Sequence, residues 1–334
     1  MSRPKRLIAG IALAMLCAPG TWLRSEVPKW PTEDIAVTKI ASASDTSING
    51  WTLEGIWHAE AYNLMFGGFS AMFALQDDTL RAFSDRGTRF TLTEPDRPST
   101  VRNVVRQLVE PGRANELWDI ESATRDPETG AYWLGFENVH TVHRFTVASE
   151  IDGLRDLDDE VDWTVNSGAE AMVRLADGRF IILPEGKTEG LIFASDPVSE
   201  EEPQTFTYRN PAYSHAATDM AQLPDGRVLL LLRNLDFGWQ GWPPFESKLA
   251  IGPPPQVGEE WAPEITLDLA GVVPRENYEG LAIRPRADGK LTVWLVSDDN
   301  LSAFQRTLLV KLNFDPQFEA SPPKDAQAKQ KAHE

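Results

Sequence analysis

The sequence predicts an all-β chain folded as a six-bladed β-propeller. Three observations carry that expectation. A two-stranded unit recurs about every 50 residues, three of its copies turn on Asp-Gly, and no stretch sustains the i, i+3, i+4, i+7 apolar stripe of an amphipathic helix. In chain order, the first unit runs from Ser70 through a turn at Gln76-Asp77-Asp78 to Asp85. The second runs from Glu121 through Asp126–Gly130 to Glu137, and the third from Glu170 through Asp177-Gly178 to Glu185. The fourth spans Asp219 to Asn234 around Asp225-Gly226, and the fifth spans Glu279 to Asp298 around Asp288-Gly289. Asp-Gly between two apolar runs is a strong hairpin signal. N-terminal strands at Ile35–Ile40 and Trp51–Trp57 are expected to join a C-terminal strand at Leu308–Phe314 as the sixth blade, closing the ring and removing its open edges.

This reading makes residues 35–318 one propeller domain in a chain of 334 residues. Residues 1–20 carry Arg3, Lys5 and Arg6 ahead of an apolar run from Leu7 to Ala18, which is too short to cross a bilayer and fits a secretory signal peptide. Residues 21–34 form a linker and 319–334 a disordered tail. The expected location is therefore the periplasm or the exterior, with no membrane span in the mature protein. Cys17 is the only cysteine and would leave with the signal, so disulfides and cysteine-ligated metals are excluded. The net charge of −18, from 50 acidic and 32 basic residues, disfavours a nucleic-acid partner. A monomer acting on a small molecule is expected.

The polar ends of the repeats carry the chemistry. First and last residues of a unit lie 15 apart in Ser70/Asp85, Glu170/Glu185 and Asp219/Asn234, 16 apart in Glu121/Glu137 and 19 apart in Glu279/Asp298. In an antiparallel hairpin such positions face each other at the open end, with Cβ atoms about 5 Å apart. If each first strand is innermost, Asp85, Glu121, Glu137, Glu170, Glu185, Asp219, Glu279 and Asp298 ring one mouth of the channel. Like charges that close call for a cation between them, and a dense set of hard oxygens suits Ca²⁺ better than Zn²⁺. Arg86, Lys187 and Arg233 follow the same ends, as does Arg306 beyond Asn300, so with Ser70 the mouth also offers contacts to a phosphate ester. The alternative is simple charge balance across a rim.

Other motifs are weaker. Gly68-Phe-Ser70-Ala-Met72 begins like the G-x-S-x-G elbow but lacks its last glycine, although His58 or His215 offers a base for Ser70. His140 and His143 are spaced like metal ligands with nothing nearby to complete them. Trp239, Trp242 and Trp261, in a Pro-rich insertion at 237–263, either form an aromatic lip or cover a blade.

The stretches Phe66-Gly-Gly-Phe-Ser-Ala-Met72, Ser84-Asp-Arg-Gly87, Asp119-Ile-Glu121 with Gly135-Phe-Glu137, Asn166-Ser-Gly-Ala-Glu170, and Asn277-Tyr-Glu-Gly-Leu-Ala282 with Val296-Ser-Asp-Asp-Asn300 resemble the bacterial phytase-like family, "esterase-like activity of phytase". The resemblance covers roughly residues 60–315. It implies a propeller, export to the periplasm, and phosphatase, phytase or esterase activity. The chain departs from the family pattern at Arg233-Asn234, where its other repeats end in Asp or Glu, and at Ser70-Ala71, where the family often has Ser-Gly. The leading expectation is a Ca²⁺-dependent hydrolase of phosphoric esters. A Ca²⁺-dependent lactonase or carboxylesterase and a non-catalytic periplasmic binding propeller are the alternatives.

Overall fold

The computed structural model describes residues 35–62, 65–108, 118–158, 168–186, 188–237 and 241–318. Its strands make five sheets. Blade 1 is β4 (Phe69–Ala74), β5 (Thr79–Ser84), β6 (Thr88–Thr93) and β7 (Val104–Gln107). Blade 2 is β8 (Ile120–Arg125), β9 (Tyr132–Phe136), β10 (Thr141–Phe145) and β11 (Ile151–Asp156). Blade 3 is β12 (Ala169–Arg174), β13 (Phe180–Pro184), β14 (Glu189–Phe193) and β15 (Gln204–Tyr208), with β19 (Glu260–Trp261) added in parallel at its edge. Blade 4 is β16 (Ala216–Gln222), β17 (Val228–Leu235), β18 (Phe245–Gly252) and β20 (Glu264–Asp268). Blade 5 is β21 (Asn277–Pro285), β22 (Leu291–Asp298) and β23 (Thr307–Phe314), continued by β3 (Trp51–Glu60) and β1 (Ala36–Ser42), while β2 (Ser47–Ile48) turns back on β3.

The ring thus has five blades, and the expectation of six is corrected. The N-terminal strands build no sheet of their own: β3 pairs antiparallel with β23, from Thr307↔Ala59 to Phe314↔Trp51. The reason is that β21–β23 make only three strands, and the apolar face of β3 supplies the missing fourth. The first strands neighbour one another as β4, β8, β12, β16, β21 and back to β4, so they line the centre. Five apolar clusters fill the five seams between blades; Phe73, Phe83 and Tyr132, for example, occupy the seam of blades 1 and 2. Among the described residues no helix is long and apolar enough to cross a membrane.

The seam of blades 4 and 5 shows how the terminal strand is held. Trp51 on β3 is 2% exposed and stacks on Phe314 of β23 at 4.1 Å between ring centres. Truncating a buried indole loses its transfer free energy and leaves a cavity. Trp51→Ala is expected to cost about 3–5 kcal/mol in urea unfolding. A loss under about 1 kcal/mol would show that β3 adds little to blade 5.

Candidate metal and substrate site

One local device sets the geometry of the mouth. Each first strand carries a one-residue register shift against its second strand, between Phe69/Ala71, Ile120/Ser122, Ala169/Ala171, Ala217/Asp219 and Tyr278/Gly280. A bulge leaves its extra residue outside the ladder and re-aims the side chain. The bulged residues are Ser70, Glu121, Glu170, Thr218 and Glu279. The pairs flanking each bulge on the mouth side are Phe69↔Ser84, Ile120↔Phe136, Ala169↔Pro184, Ala217↔Leu232 and Tyr278↔Ser297. The next residues are therefore Asp85, Glu137, Glu185, Arg233 and Asp298.

Blade 4 consequently reads one residue earlier than the sequence spacing suggests. Thr218 and Arg233 take the positions assigned from sequence to Asp219 and Asn234. Asp219 turns away from the mouth and is 1% exposed. Its carboxylate accepts from the backbone N–H of Met220 at 2.8 Å and of Leu281 at 2.7 Å, tying β16 to β21. Burial pushes this acid well above the carboxylate range, and the N–H groups of Leu281, Met220 and Met72 oppose the shift. Its donors are backbone amides, so the structure does not bring Asp219 to the other carboxylates.

Asp119, Glu121 and Glu137 have carboxylate oxygens within 4.8 Å of one another, and so do Glu137, Glu170 and Glu185. Glu137 belongs to both groups. Asp119 was missed in the sequence because it precedes the repeat unit. It holds φ at +71°, a left-handed conformation that Asp tolerates better than most residues. Its N–H donates to the Asp85 carbonyl at 2.5 Å and its carbonyl accepts from the Glu137 N–H at 3.0 Å, which clamps it between blades 1 and 2. A side chain at Gly168 would overlap Glu137, and one at Gly68, held at φ +69°, would strike the Asp85 carboxylate. These glycines let the acids approach.

The electrostatics are those of crowded, buried carboxylates. Burial pushes Glu121 and Glu170 well above the usual range. The charges of Glu170, Glu279, Asp119 and Glu137 add to the shift at Glu121, and those of Glu185, Glu137 and Glu279 at Glu170. Glu137 is raised by burial and by Asp119 and Glu185, offset in part by hydrogen bonds from the Gly168 N–H and with Glu170. Asp85 is pushed up to about 6 by burial, with Asp119 and Glu279 adding and Arg86 opposing. Its Oδ1 is buried without a hydrogen-bond partner.

The other half of the mouth differs. Arg233 lies 3.3 Å from Glu279 and 3.6 Å from Glu185. Glu279 also accepts from Asn277 Nδ2 at 2.8 Å, and the Ser70 hydroxyl donates to it. Asp298 accepts from the Asn300 N–H at 2.7 Å. Burial raises Asp298 well above the usual range, helped by Glu279, Asp85 and Asp299. Arg86 adjoins Asp85, and Lys187 lies outside the described residues. Arg306 is taken by Glu276 at 2.7 Å.

The remaining candidates have other surroundings. His140 pairs with Asp158 at 2.6 Å, and His143 is buried against Phe136 and Phe145. His58 lies on β3 beside Glu60, and His215 lies beside Ser214, so neither joins Ser70 in a triad. Trp261 is 3% exposed and packs on Phe206 and Tyr208, covering blade 3. Trp239 is outside the described residues. Trp242 is exposed, as are Tyr62, Trp118, Tyr213, Phe237 and Phe304. All six sit on loops that leave the mouth end of the blades, a feature invisible before the topology assigns each loop to a face.

A profile of the phytase-like family, described as "esterase-like activity of phytase", matches residues 65–301, more than half of the sequence. The chain belongs to the phytase-like family. No curated protein matches it. A luciferin-regenerating enzyme is similar at 11% identity, over 86% of this chain and 97% of that one, with a TM-score of 0.43. A protein of unknown function from Bacteroides caccae is similar at 10% identity, over 68% of this chain and 70% of that one, with a TM-score of 0.36. Likeness that low bears on no activity, and the architecture of this phytase-like chain rests on its own sheets.

The raised acids fix a pH dependence. Their folded pKa values lie above the unfolded ones, so the folded mouth holds protons that the unfolded chain releases from about pH 4 upward. Without divalent ions, stability is expected to fall as pH rises through about 4 to beyond 6. The metal-free unfolding midpoint should be higher at pH 5 than at pH 7.5, and the Glu121→Gln/Glu170→Gln variant should flatten that difference. An unchanged slope in the variant would place the effect elsewhere.

Proposed function

We propose that this phytase-like chain is a divalent-cation-dependent hydrolase of phosphoric esters, with Ca²⁺ as the fitting ion. The observation that carries the reading is the pair of carboxylate groups sharing Glu137, beside a mouth half that holds Arg233 and Ser70. The donor set fits a hard cation: five carboxylates converge, burial raises Asp119, Glu121, Glu137 and Glu170 with mutual repulsion adding at the three glutamates, and Arg233 is the cation beside Glu185 and Glu279. Asp119, Glu121, Glu137, Glu170 and Glu185 would hold the ion, which when bound supplies Lewis-acid polarisation and a more acidic water.

The chain's own groups have separate tasks in this reading. Arg233 and Arg86 orient phosphate oxygens, a role that suits a guanidinium's fork of donors. Ser70, hydrogen-bonded to Glu279, positions an ester oxygen at the strand end. The exposed aromatic residues around the mouth favour an ester with a ring-bearing body that stacks on them. Those same rings are the observation that favours the second reading, a binding propeller without turnover.

The test is thermal unfolding in EDTA and then across a Ca²⁺ titration, with Mg²⁺ as control. A ligand bound by the folded state alone raises stability by about 2.7 kcal/mol at one hundred times its Kd. Glu137→Gln is expected to remove the Ca²⁺ shift and to lower hydrolysis of p-nitrophenyl phosphate by about 100-fold or more. Turnover of a lactone or p-nitrophenyl acetate alone would replace the phosphate reading with the carboxylester one. No shift at millimolar Ca²⁺ would sink the ion site.

Export is part of the proposal and rests on the basic and apolar pattern of residues 1–20, which lie outside the described residues. Mass spectrometry of the chain purified from a periplasmic extract is expected to find an N-terminus near Ala18. An intact Met1 form confined to the cytoplasm would refute it.

A further inference from the structure

The opposite end of the ring carries a second polar feature, in which the more buried charges are arginines and the carboxylates of the lining are exposed. The turns joining first and second strands emerge there, and between blades 1 and 2 they enclose a cavity of about 400 Å³. Its walls are apolar through Phe73, Tyr132 and Val147, and cationic through Arg81 and Arg125. Asp77 and Glu128 stand exposed at its edge. A second cavity of about 320 Å³ at the far end of the channel shares Phe73, Arg125 and Pro127, so Arg125 stands between the two.

The two buried carboxylates of this region, Glu94 and Asp126, already have partners. Glu94, 1% exposed, holds Arg284 at 2.5 Å, and Arg284 also donates to the carbonyls of Leu75 and Thr79. Asp126 accepts from the Glu128 N–H and the Thr129 hydroxyl, both at 2.9 Å, and lies 3.7 Å from Arg174. The Arg125 side chain makes no hydrogen bond or ion pair with any described residue, while Arg284 repels it and Asp126 offers the attraction. Arg81 donates through Nε to Thr91 at 3.2 Å and lies 6.0 Å from the Tyr132 ring centre, with Arg89 and Arg125 repelling it. A partly buried guanidinium normally meets a carboxylate, the more so in a chain with 50 acidic residues against 32 basic ones.

We propose that this cavity is a binding site for a small organic anion. Its carboxylate or phosphate group sits between Arg81 and Arg125, and its flat apolar body lies against Tyr132, Phe73 and Val147. Two arginines line one pocket, guanidiniums are the side chains suited to an oxyanion, and a volume of this size is that of a small-molecule site. The site is independent of the acidic mouth and of any ion held there.

Calorimetric titration of the full chain in EDTA tests it, with phenylphosphonate and benzoate as probes that a phosphatase or esterase cannot turn over. At least one probe is expected to bind saturably. Arg125→Gln and Arg81→Gln should each weaken that binding about tenfold or more, and added salt should weaken it in the wild type. Arg125→Lys should keep part of it, and Glu137→Gln should leave it unchanged. Benzyl alcohol, which has the body without the charge, should not bind measurably. Absence of saturable binding by both probes up to about 10 mM would overturn the proposal, as would binding indifferent to both arginine variants or lost in Glu137→Gln. Urea unfolding curves of the arginine variants report their folding without reference to any ion, so failure of the mouth reading leaves this test standing.

Discussion

The mouth depends on one backbone device, the bulge near the start of every first strand. Each bulge takes one residue out of the ladder and turns it toward the axis, and five of them in a ring bring groups from distant parts of the sequence together. Their second-strand neighbours, one step past the pair that flanks the bulge, complete the circle. Charge then governs the mouth. Carboxylates that would be dispersed on a surface are crowded and partly removed from water, which raises their pKa values and makes an added cation favourable.

Blade 4 breaks the circle's uniformity. By contributing Thr218 and Arg233 it divides the mouth into an acidic side at blades 2 and 3 and a mixed side at blades 4, 5 and 1. Arg233 pairs with Glu185 and Glu279, and its charge is felt more weakly at Glu170 and Glu121. The departure from the family pattern at residues 233–234 is thus a cation placed at a carboxylate position. Asp219, freed of the mouth, caps backbone amides between β16 and β21 and serves the fold instead.

Much of this was legible in the repeats. The five hairpins, their turns and the clustering of Glu121, Glu137, Glu170 and Glu185 follow from alternation and Asp-Gly signals. The same alternation hid two things. A bulge adds a residue without changing the apolar pattern, so Asp219 looked equivalent to Glu170 when Thr218 was. Asp119 lies before its strand, where its left-handed backbone rather than any periodicity brings it in. The count of blades failed for a related reason, since an apolar strand records that it pairs but not with which sheet.

Sequence by itself determined the strand pattern, the acidic balance and the membership of the repeated polar ends, because each depends on near neighbours in the chain. Only the tertiary structure decided the number of blades, the register of blade 4, and the sorting of loops into an aromatic, acidic face and an opposite face with Arg81 and Arg125. Those outcomes depend on which backbone groups pair across the ring and on where each turn emerges. Both are set by contacts between residues far apart in sequence, which no local pattern encodes.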